Sequence, residues 1–63
     1  MKQVGSEHPT LFSLSAAERK YLQQALALGL IKQPLETRED GSGGLLVRFR
    51  SLDDAKQVQG SIA

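Results

Sequence analysis

Leu35-Glu36-Thr37-Arg38-Glu39-Asp40-Gly41-Ser42-Gly43-Gly44-Leu45-Leu46-Val47-Arg48-Phe49-Arg50 is the stretch that decides the fold. Its middle, residues 39–44, is a cluster of turn formers. On both sides of that cluster the apolar or β-branched residues carry odd numbers. Ile31, Leu35 and Thr37 precede it, with Gln33 as the gap, and Leu45, Val47 and Phe49 follow it. A period of two is the signature of a strand with one buried face, so residues 30–50 are expected to form a β-hairpin. Parity constrains its turn as well. Paired residues share a face, so odd must oppose odd and the loop must hold an odd number of residues. A two-residue turn at Asp40-Gly41 is thereby excluded, leaving a three-residue loop with a glycine bulge or a five-residue loop. Pro34 cannot donate a ladder bond, which places the first strand at an edge or makes it begin after the proline.

Upstream of the hairpin, Ser15-Ala16-Ala17-Glu18 matches a capping box, in which the Ser hydroxyl and the Glu carboxylate each accept an otherwise orphaned helical amide. Residues 18–28 contain good or neutral helix formers and no β-branched residue. Wound at 100° per residue, Ala17, Tyr21, Leu22, Ala25, Leu26 and Leu28 share one half of the cylinder, opposite Arg19, Lys20, Gln23 and Gln24. Gly29 is placed to end this helix in a left-handed conformation, with Leu30 folding back as the hydrophobic contact. Downstream, Ser51 is expected to cap a second helix with Asp53 and Asp54 in its first turn, where the dipole favours anions. Leu52, Ala55, Val58 and Ile62 make its apolar stripe, and Gly60 weakens its end. Leu11-Phe12-Ser13-Leu14 is compatible with a brief strand or with a segment lying over the core. Residues 1–10 are polar and are expected to form a flexible tail. The expected fold is therefore a single α+β domain over residues 11–63. Its order is helix–hairpin–helix, with a short extra strand at 11–14 as an option and both helices on one face of an antiparallel sheet.

Composition narrows the function by exclusion. Sixty-three residues make one domain at most, and so small a chain buries only about 60% of the surface its unfolded form exposes. There is no Cys, so disulfides and thiolate metal sites are excluded. Self-association is the remaining way to add stability, and a homodimer is expected. Eight Lys and Arg against seven Asp and Glu give no strongly basic field of the kind that announces nucleic acid or an acidic membrane. No apolar run approaches the roughly 20 residues of a membrane span, and the N-terminal residues lack the apolar region of a signal peptide. These features lead to the expectation of a cytoplasmic protein with no membrane partner.

Candidate sites follow the same logic. His8 stands beside Pro9 in the expected tail, where nothing would hold it as a general base. Asp53 and Asp54 are adjacent on a helix and diverge by 100°, which suits a helix N-terminus better than a metal. No catalytic, cofactor or metal residue is assigned, and no small-molecule substrate is expected. The Gly41-Ser42-Gly43-Gly44 loop could offer amides to a phosphate, but it lacks the Gly-Lys-Ser/Thr ending of a P-loop and joins two strands. Lys32, Arg38, Arg48 and Arg50 carry even numbers, opposite to the apolar set, and share the outward face with Leu46 and the counter-charge Glu36.

A basic ribbon with a glycine tip after a helix, over about residues 15–50, resembles the second half of winged-helix domains. It lacks the preceding helices that complete a helix-turn-helix. That resemblance implies a small nucleic-acid-binding accessory protein using Lys32, Arg38, Arg48 and Arg50. The reading favoured by the balanced charge and by Leu46 is a non-enzymatic binding or regulatory module working through protein–protein contact. Leu46, Leu26 on the border of the first helix's apolar arc, and Leu11 and Phe12 are its expected contact residues.

Overall fold

The computed structural model describes residues 1–5 and 9–62. It is a small α+β domain with two helices and a four-stranded antiparallel sheet. In chain order the elements are β1 (Lys2–Gln3), β2 (Leu11–Leu14), α1 (Arg19–Ala27), β3 (Glu36–Glu39), β4 (Leu45–Arg48) and α2 (Leu52–Ile62). The sheet order is β1-β2-β4-β3, so β2 and β4 are central and β3 is an edge.

The helix–hairpin–helix order is therefore incomplete. Two strands precede α1, and the Leu11-Phe12-Ser13-Leu14 segment is one of them. Backbone pairing explains why it is a strand: Phe12 opposes Val47 and Leu14 opposes Leu45, so two apolar faces coincide. Within residues 1–10, expected to be a flexible tail, Lys2–Gln3 form β1, with Lys2 opposite Ser13 and Gln3 opposite Phe12. Val4 extends the pairing by donating its amide to the Leu11 carbonyl at 2.8 Å. His8 lies outside the described residues.

The hairpin keeps the predicted parity. Glu36 pairs with Arg48, Thr37 with Val47, Arg38 with Leu46 and Glu39 with Leu45, which leaves a five-residue loop at 40–44. Gly44 is required there, since a β-carbon on it would stand 2.5 Å from the Leu14 carbonyl oxygen. β3 begins after Pro34 and lies at the edge, as the missing amide demands. Its apolar set does not reach the core, however. Leu35 is 57% exposed and Thr37 is exposed, because the buried cluster is drawn from β2, β4 and the helices and the edge strand lies beyond it.

That cluster comprises Phe12, Leu14, Val47 and Phe49 from the sheet side, Leu22 and Ala25 from α1, Ala55 and Val58 from α2, and Ile31 from the connection. Phe12 and Phe49 meet edge to face, with ring centroids 5.7 Å apart. Both capping-box bonds form, Glu18 donating its amide to Ser15 Oγ at 3.2 Å and Ser15 its own to Glu18 Oε1 at 2.8 Å, but in a turn ahead of α1, whose N-cap is Glu18 rather than Ser15. At the far end Gly29 adopts φ +72°, its amide reaches the Leu26 carbonyl, and the Leu30 amide reaches that of Ala25. These two bonds make a Schellman motif. Leu30 remains 49% exposed rather than folding back into the core, and Leu28 is exposed where the helix ends. Ala17, in the turn ahead of α1, is exposed too. Ser51 Oγ accepts the Asp54 amide at 3.3 Å and caps α2. Ala55 and Val58 of the predicted stripe are buried, whereas Leu52 at its start is exposed.

Candidate functional site: the helix-free face of the sheet

Both helices pack on the sheet face that carries Phe12, Leu14 and Val47. Strand alternation sends the intervening residues to the opposite face. Register brings them side by side: Leu11 beside Arg48, Arg48 beside Glu36, Ser13 beside Leu46, and Leu46 beside Arg38. Leu11, Glu36, Arg38, Leu46 and Arg48 line a shallow groove of about 240 Å³ on this face. The floor is apolar, and both signs of charge stand around it. Leu11, Leu46 and Arg48 are half-buried, while Glu36 and Arg38 are exposed.

The two arginines of the groove differ. Arg38 sits 3.7 Å from Glu36, a loose pair of two well-exposed side chains that contributes little to stability. Arg48 is the unusual group. Its Nε is shut away from solvent yet has no hydrogen-bond partner among the described residues. A buried, unpaired donor on a charged group is costly, and in a native protein it calls for an explanation.

The expected site residues separate in the structure. Arg38 and Arg48 share the groove, but Arg50 lies beyond the end of β4 and donates Nε to the Gln33 carbonyl at 2.7 Å. Lys32 lies in the connection between α1 and β3, exposed and away from the groove lining. Leu11 and Leu46 line the groove together. Phe12 does not join them, because its side chain is buried in the core against Phe49. Leu26 is partly buried against the same core from α1. The adjacency of Leu11 to Arg48 was not readable in advance, since it arises from a strand pairing across 37 positions. Its one signal was the coincidence of two short apolar segments of matching period.

Two amides of the glycine loop are taken by the loop's own acid. Asp40 Oδ1 accepts the Ser42 amide at 2.8 Å, the Ser42 hydroxyl at 2.7 Å and the Gly44 amide at 3.1 Å. These bonds, that of the Ser42 hydroxyl first, hold the Asp40 carboxyl below its ordinary value. Arg19 bridges the loop to α1 by contacting the Gly43 carbonyl at 2.9 Å and pairing with Glu39 at 2.9 Å. The hairpin is thus not a free wing: β4 is flanked by β2, and its tip is tied to a helix. Among the described residues no cluster of His, Asp and Glu could hold a metal ion, and no described helix is long and apolar enough to cross a membrane.

Comparison with protein-family models, with curated proteins and with solved structures returns no match.

Proposed function

We propose that this protein is a non-enzymatic binding module that works through protein–protein contact, with the helix-free sheet face as its contact surface. The observation that carries this reading is the groove on the helix-free face, where half-buried Leu11 and Leu46 lie beside the Arg48 side chain. A protein partner supplies both things such a site lacks, apolar cover for Leu11 and Leu46 and an acceptor for Arg48. The nucleic-acid reading has less support. Lys32 and Arg50 lie away from the groove, two of the loop amides are already bonded to Asp40, and the net charge is only +1.

A photo-crosslinking residue introduced at position 46, in cells expressing the chain, tests the assignment. Position 57, exposed on α2, serves as the control. Discrete protein adducts are expected from position 46, diminished when Arg48 is changed to Glu, and none from position 57. Absence of adducts at position 46 would sink the reading.

A further inference from the structure

On the reading that the helix-free sheet face is the contact surface, we infer that its occupant is a second copy of this chain. The two copies would pack sheet to sheet, with Glu36 of each facing Arg48 of the other.

The argument rests on how charge is laid out on the face. Glu36 and Arg48 occupy one row across β3 and β4, and Arg38 and Leu46 occupy the next. A two-fold axis parallel to the strands and midway between β3 and β4 exchanges the two columns. Glu36 then meets Arg48 of the second copy, twice over, and Arg38 meets Leu46. Both pairings are favourable: the first joins opposite charges, and the second lays the aliphatic stem of an arginine over a leucine. Moving the axis onto β4 would set Arg48 against Arg48, so charge selects one arrangement and disfavours its neighbour. A uniformly acidic partner would instead meet repulsion from Glu36.

The same arrangement gives the half-buried Arg48 guanidinium a carboxylate partner from the other copy. The Glu36–Arg38 pair within one chain is loose enough to yield to it. Aligned sheets pack about 10 Å apart, within the combined reach of an arginine and a glutamate. Size sets the strength. A specific contact needs on the order of 500 Å² from each copy, about an eighth of this molecule's 4122 Å². With the axis between β3 and β4 only those two strands of each copy overlap, so the contact falls short of that area. The association is accordingly weak and reversible.

Sedimentation equilibrium over a wide concentration range tests this, using wild type, Glu36→Arg, Arg48→Glu, and an equimolar mixture of the two variants. Each variant alone sets like charges together at both contacts and should weaken dimerisation on the order of a hundredfold. In the mixture both contacts become Glu–Arg again, so a mixed dimer should form with near wild-type affinity. Recovery in the mixture also requires both variants to be folded, which separates a lost contact from a lost fold. A wild type that dimerises with no response to either variant, or variants whose mixture stays monomeric, would overturn the inference. If wild type stays monomeric while position 46 crosslinks to a different protein, the contact surface stands and the second copy falls. If it stays monomeric and position 46 yields no adduct, both fail.

Discussion

Glu18 divides its two oxygens between two tasks. Oε1 accepts the Ser15 amide at 2.8 Å, and Oε2 pairs with the Met1 ammonium. The first contact is the reciprocal half of the capping box, and it could be read from four consecutive residues because every participant is local. The second joins positions 17 apart, and nothing local announces it. Replacing Ser15 with Ala removes the hydroxyl that accepts the Glu18 amide. It should lower the unfolding free energy by about 0.5–2 kcal/mol, read from a denaturant midpoint. The titration of Glu18 gives a second expectation. The Met1 ammonium, then the Ser15 amide, hold its carboxyl below the ordinary glutamate value. A depressed folded-state value means the unfolded chain binds the proton more readily. The stabilisation is therefore full above the ordinary glutamate value and is lost as pH falls through the depressed one. Glu18→Gln should narrow the stability gap between neutral and acidic pH. A wild-type Glu18 titrating at or above its ordinary value by carboxyl NMR would contradict the bonding described.

At the scale of elements, parity did most of the predictive work, and it failed where cover rather than alternation decides burial. Odd residues oppose odd across the hairpin, and the loop has five residues, both of which follow from the period of two. Alternation says which face a residue takes, but it does not say whether anything covers that face. Leu35 and Thr37 share the inward face with Val47 and still meet solvent, because β3 is an edge strand outside the buried cluster. Likewise β2 was ambiguous on its own four residues and became a strand through pairing with β4, a contact no local window contains. The same limit hid one residue of the candidate groove: Glu36, Arg38, Leu46 and Arg48 could be placed together from parity, but Leu11 could not. These positions predict contrasting mutational costs. Val47→Ala and Leu22→Ala each open space in the closed core and should cost on the order of 1–4 kcal/mol. Leu46→Ala, one residue away on the other face, should be nearly neutral at concentrations where the chain is monomeric. Chemical denaturation of the three variants reads the difference. If Leu46 proved as costly as Val47 in a monomer, the assignment of faces would be reversed.

For the molecule as a whole, the deciding property is where its charges stand, which composition alone does not give. A net charge of +1 left open a basic face formed by Lys32, Arg38, Arg48 and Arg50. Once folded, these four do not form one patch, although Arg38 and Arg48 share the groove. Arg50 donates to the Gln33 carbonyl, Arg38 lies near Glu36, and Lys32 stands in a separate connection. Electrostatic binding to a nucleic-acid backbone needs several cations acting together, each phosphate contact adding about 0.9 to the slope of log affinity against log salt. Arg38 and Arg48 alone could contribute a slope of about two, and Glu36 between them opposes even that. The expected outcome is no measurable affinity for duplex or single-stranded DNA at ~50 mM salt, where such binding is strongest. Titration of labelled DNA with wild type and with an Arg38→Gln, Arg48→Gln double variant checks it. Fold stability should hardly change in the double variant, because the exposed Arg38 contributes under about 1 kcal/mol and the half-buried Arg48 loses an unpaired donor rather than a bond. Tight binding by wild type that the double variant abolishes would move the function of this face from protein to nucleic acid. Binding that survives the double variant would place a nucleic-acid site elsewhere on the molecule.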